Sequence, residues 1–163
     1  MTVYTPPVNT YTPLASITLA STATEIVLTG FSQDYRDLVI VLQGSLGADN
    51  NILMQFNGDT GSNYSDVRMI GYGSAQYTSS AQSGTSMIIG PLDTTQGNVL
   101  VNVMDFSASD KHTTALIRTN KTAEVGARAG RWANTSAVTA IRLFPASTTF
   151  SSGFTVKLFG IEA

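Results

Sequence analysis

The 163-residue chain has no cysteine, three lysines, one histidine and one tryptophan, and charged residues make up only 12% of it. Without cysteine there is neither a disulfide framework nor a thiolate metal or redox centre. A single imidazole, His112, excludes a multi-histidine metal site. Nine scattered basic residues do not supply the clustered charge that neutralises phosphates, so no nucleic-acid partner is expected. Three glutamates and few lysines exclude a coiled coil. No stretch approaches ~18 consecutive apolar residues, so no membrane insertion is expected. The first 13 residues have no basic region and no apolar run, which predicts no secretory signal.

In place of charge the chain holds hydroxyls: Ser and Thr together number 39, while 42% of residues are hydrophobic. That apolar share excludes disorder, and the length fits one domain with its own core. Ile17 and Leu19 alternate with polar neighbours, as do Ile26 and Leu28. Residues 38–42 are continuously apolar, the pattern of a central strand. Ile52, Met54 and Phe56 alternate up to Asn57-Gly58, a pair that supplies the positive φ angles of a tight hairpin turn. Val67 and Met69 continue beyond it. Residues 71–85 are mainly Ser, Gly, Ala and Gln and read as a long surface loop. Strands are then expected around residues 87–89, 99–104, 115–117, 137–144 and 154–159. Val125, Ala129 and Trp132 have helical spacing, but Gly126 and Gly130 inside that stretch favour an extended segment over 121–133. The expectation is an all-β protein, an antiparallel β-sandwich of jelly-roll type with eight to ten short strands.

The chemical inventory is thin. His112 follows Ser109 and Asp110, but no Gly-x-Ser-x-Gly elbow is present, and a loop histidine is more often a solvated side chain. The segment from Asn57 through Asp59 to Asn63 offers oxygens at alternate positions, loosely as a calcium loop does, yet lacks the closing bidentate Glu. Turn formation explains its composition better. The sequons at Asn63, Asn120 and Asn134 carry no glycosylation argument without an export signal. No residue pattern nominates a catalytic pair, a cofactor site or a metal site, and an enzyme is not expected.

Two surfaces draw attention as contact sites. Pro6, Pro7 and Pro13 hold the N-terminus extended, while Tyr4, Val8 and Tyr11 give it apolar anchors, so residues 1–13 read as an arm that packs on a neighbouring subunit. Residues 14–163 form the single domain. Arg128 and Arg131 beside Trp132 have the composition of an interface hot spot. With Tyr64, Tyr72 and Tyr77 they are candidates for subunit or glycan contact, against the plainer reading of Trp132 as a core residue.

Three segments carry a resemblance. They are Gly30-Phe-Ser-Gln-Asp-Tyr-Arg-Asp-Leu-Val-Ile-Val-Leu-Gln-Gly44, then Ile52-Leu-Met-Gln-Phe-Asn-Gly-Asp-Thr-Gly-Ser-Asn-Tyr-Ser65, and the ending Ile141-Arg-Leu-Phe-Pro with Phe154-Thr-Val-Lys-Leu-Phe-Gly-Ile161. Together they resemble small β-sandwich structural proteins of tailed bacteriophages: capsid decoration proteins, head fibres and tail tips. The resemblance implies a place on the outer surface of a virion assembled in the host cytoplasm, and brings no catalytic residues. A short arm ahead of one compact domain, without a fibre shaft, favours a capsid decoration (cement) protein. It is expected to be a dimer or trimer that binds the major capsid protein or another virion protein between capsomers. A tail-tip or fibre-tip adhesin for host surface polysaccharide is the second expectation, and a glycan-acting enzyme a distant third.

Overall fold

In the computed structural model, which describes residues 10–162, two antiparallel sheets pack face to face. Twelve strands are described: β1 (Tyr11–Thr18), β2 (Ile26–Thr29), β3 (Asp37–Gly44), β4 (Asn50–Phe56), β5 (Tyr64–Tyr72), β6 (Ala75–Gly84), β7 (Met87–Leu92), β8 (Gly97–Met104), β9 (Thr113–Lys121), β10 (Glu124–Trp132), β11 (Ala140–Pro145) and β12 (Thr155–Ile161). The larger sheet runs β1-β12-β3-β8-β9-β10-β5-β6 and the smaller β2-β11-β4-β7.

The pairing is that of one long hairpin rolled up. First pairs with last (β1 with β12), and β2 pairs with β11, β3 with β8, and β4 with β7. Those eight strands form a jelly roll. Two inserted hairpins, β5–β6 and β9–β10, take the count above the expected eight to ten. Both lie on the same side of β8, so they extend one sheet and not the other.

The core forms where alternating aliphatic faces meet. Val99, Val101 and Val103 of β8 are fully buried, as are Ile52, Met54 and Phe56 of β4. Leu38, Ile40 and Leu42 occupy the middle of the large sheet, where β3 lies between β12 and β8. Pro13 is tolerated because β1 is an edge strand, and the register shifts between Pro13 and Ala15. Tyr11 packs edge-on against Phe159, ring centres 6.4 Å apart. Tyr11 to Pro13 are thus part of a strand. Tyr4, Pro6, Pro7 and Val8 lie outside the described residues.

Two local expectations need correction. The segment 71–85 is not a loop: most of it is the strand β6, paired along β5. Its small polar residues read as loop because β6 is exposed on both faces and has no core side to mark with aliphatics. Asn57 and Gly58 do take positive φ, 53° and 69°, and Asp59 N–H donates to the Phe56 carbonyl over 2.9 Å. They do not close a hairpin, however. The chain leaves the small sheet at this turn, since β4 pairs with β11 and β7 whereas β5 joins the large sheet. Asn57 anchors the turn by accepting from the N–H groups of Thr139 and Ala140, at 2.8 and 3.0 Å.

Candidate functional site

The extension β9-β10-β5-β6 is wider than the sheet that faces it. The edge strand β7 lies over β8, β9 and β10 and reaches β5. It sits close because Gly130 has no side chain; a Cβ there would overlap Sδ of Met87 and lie 2.8 Å from its Cγ. Beyond β7, among the described residues, the inner face is open except where Asp49 reaches over to Lys121.

In β5 and β10 the usual polarity of a sandwich strand is reversed. Val67 and Met69 point outward, 52% and 64% exposed, and Val125 is 65% exposed. The ions point inward: Asp66 and Arg128 are buried and Arg68 is half-buried. Cross-strand register aligns Leu116, Ala129 and Val67 in one row and Arg118, Ala127 and Met69 in the next. The two alanines floor a shallow groove between Leu116 on one side and Val67 and Met69 on the other, with a volume of about 560 Å³. Arg131 is exposed on this outer face, at its end.

The adjoining edge, β6, carries no charged residue and no proline over its ten residues. Natural edges are commonly blunted by lysine, proline or a covering segment. None of these protects β6 among the described residues.

The inner face holds the remaining polar groups. Arg68 and Arg128 stand directly opposite each other in the β5–β10 register. Asp66 approaches Arg128 to 3.8 Å, too far for a hydrogen bond. Burial pushes the Asp66 carboxyl above its usual range, opposed by Arg128 and Arg68. Burial and then the neighbouring Arg68 lower Arg128. Beside them Lys121 contacts Asp49 at 2.7 Å and Glu124 at 4.0 Å. Arg68, Arg128, Lys121, Glu124 and Asp49 line one open pocket of about 330 Å³.

The predicted contact residues divide accordingly. Tyr64 and Trp132 are corrected to core residues, each 1% exposed, because each polar tip finds a partner inside. The Tyr64 hydroxyl accepts from Phe56 N–H at 2.9 Å and donates to the Asp59 carbonyl at 3.1 Å. Burial pushes the phenol up to about 12. Trp132 Nε1 donates to Asp59 Oδ2 at 2.7 Å. Asp59 in turn accepts from Gly61 N–H and from the Asn63 amide, both at 2.8 Å, so the segment resembling a calcium loop spends its carboxylate on its own turn and on Trp132. Tyr72 and Tyr77 are exposed, 50% and 57%. Register places Tyr72 beside Glu124 and Tyr77 beside Ile70, on the inner face with Arg68. Arg131 is on the opposite face from Arg128. His112 is an exposed residue of the segment between β8 and β9. Sequence reading overlooked Arg68, Lys121, Glu124 and the outward aliphatics. Their signal was the Asp66-Val67-Arg68-Met69 alternation, which gives a two-residue period but not which face is inside.

No protein-family model matches the chain, and no curated protein matches it in sequence.

Proposed function

We propose that the protein is a structural component of a tailed-phage virion, a capsid decoration protein that works as a self-associated oligomer. The observation that carries the assembly reading is the reversed polarity of β5 and β10. A strand that turns valine and methionine outward and ions inward leaves apolar surface in water, at about 25 cal/mol per Å². Contiguous patches of this kind mark interaction surfaces. The occupant that fits best is a second copy of the chain. The strip adjoins an unprotected, uncharged edge strand, and closed symmetric association removes both exposures at once. The phage assignment rests on the resemblance of the three sequence segments. Jelly rolls recur in viral capsid proteins, which agrees with it.

Rebinding tests the reading. Purified chain added to phage particles that lack it is expected to raise their resistance to heat and osmotic shock, and Met69→Asp is expected to remove the effect. Particles that neither bind the chain nor gain resistance would refute decoration. The arm expectation is tested separately by deleting residues 1–9, because a longer deletion would cut into β1. Unchanged particle binding would refute the arm.

A further inference from the structure

The pocket on the inner face of the extension, on the opposite side of the sheet from the apolar strip, has unfilled hydrogen-bonding capacity of both kinds. Nε and Nη1 of Arg128 and Oε1 of Glu124 are buried without a partner. The Arg128 side chain is 1% exposed and that of Glu124 13%. Native proteins nearly always satisfy buried groups of this sort, because leaving one unpaired forfeits its hydration without return.

Charge selects the kind of group that satisfies them. Arg68, Arg128 and Lys121 are balanced by Asp49 and Glu124 of the lining together with Asp66, which lies outside the lining 3.8 Å from Arg128. A net anion or cation would upset that balance, whereas a neutral ligand leaves it intact. The ligand must also accept from a guanidinium and donate to a carboxylate of the same lining. Adjacent hydroxyls do both, since each is donor and acceptor. The exposed rings of Tyr72 and Tyr77 stand on the same face, flanking Glu124 and Ile70, and offer flat apolar surface to the C–H face of a sugar ring.

We infer that this pocket binds a neutral saccharide through a vicinal diol, held between Arg128 and Glu124 and stacked on Tyr77 or Tyr72. The site is independent of the assembly reading, because it opens on the other face of the sheet.

The test is backbone-amide NMR titration of the full chain with the methyl glycosides of glucose, galactose and mannose, and in parallel with galacturonate and inorganic phosphate. At least one neutral glycoside is expected to saturate with a millimolar dissociation constant, shifting amides near Arg68, Tyr72, Tyr77 and Glu124. Glu124→Gln and Tyr77→Ala, at partly and largely exposed side chains, are each expected to weaken it about tenfold without changing the circular dichroism spectrum. Three outcomes overturn the inference: no saturation by any neutral glycoside up to about 50 mM, binding of galacturonate or phosphate alone, or unaltered affinity in both variants.

Discussion

Trp132 Nε1 donates to Asp59 Oδ2 across 2.7 Å, joining the last residue of β10 to the turn that leaves β4. This contact ties the extension to the jelly roll at the point where the chain changes sheets. The indole ring also packs against Phe56 at 5.5 Å and Tyr64 at 6.5 Å between ring centres, so one side chain joins β4, β5 and β10.

The Asp59 bond gives an acid sensitivity with a defined sign. The Trp132 hydrogen bond, with those of Asn63 and Gly61, holds the carboxyl below its ordinary value despite the opposing effect of burial. A depressed folded-state pKa contributes stability that is present above the unfolded value and lost as pH falls through the folded one. Stability is therefore expected to decline below about pH 4, reported by Trp132 fluorescence during denaturant titration. Asp59→Asn should be less stable at pH 7 and show a smaller decline over that range. An unchanged acid limb in the variant would contradict the assignment.

Trp132→Ala should act on stability and not first on any surface. Removing a fully buried indole from a packed aromatic cluster costs about 3–5 kcal/mol, and chemical denaturation measures it. Loss of binding with unchanged stability would contradict its place in the core.

Gly130→Val tests how β7 is seated. The added side chain must displace Met87, an overpacking change of about 1–3 kcal/mol. Met87→Ala in the same chain should recover part of that loss, because it empties the space the valine needs. Additive penalties in the double variant would contradict the close approach of β7 to β10.

Much of the jelly roll was legible because its strands obey one rule, aliphatic inside and polar outside. Ile26 and Leu28 and the valines of β8 turn inward by it, while β3 was legible for a different reason, as an unbroken apolar run buried on both faces. Legibility failed where the rule changes. β6 has no inside, so Ser79 and Ser80 looked like loop. β5 and β10 follow the two-residue period with its sense reversed, so the alternation of Val67 and Met69 marked a strand without telling which face is inside. Asn57-Gly58 announced its backbone angles correctly, but a tight turn does not specify which sheet the next strand joins. Trp132 could be read as core or as contact, and its partner Asp59, which fixes it in the core, lies far away in sequence.

The outward aliphatics bear on assembly alone if the account is right. Leu116→Asp and Met69→Asp replace side chains 53% and 64% exposed, so each should alter stability under monomeric, dilute conditions by no more than about 0.5 kcal/mol. Thermal denaturation at low concentration checks this. A large loss there would mean that these residues support the domain itself.

Sedimentation equilibrium of the purified full chain tests the central claim most directly. The parent protein should sediment as a closed dimer or trimer, while Leu116→Asp with Met69→Asp, or Thr78→Lys with Ser80→Lys on β6, should shift it to a folded monomer. A parent chain that is monomeric at every concentration, or variants that keep the parent's oligomeric state, would contradict burial of this face by a second copy.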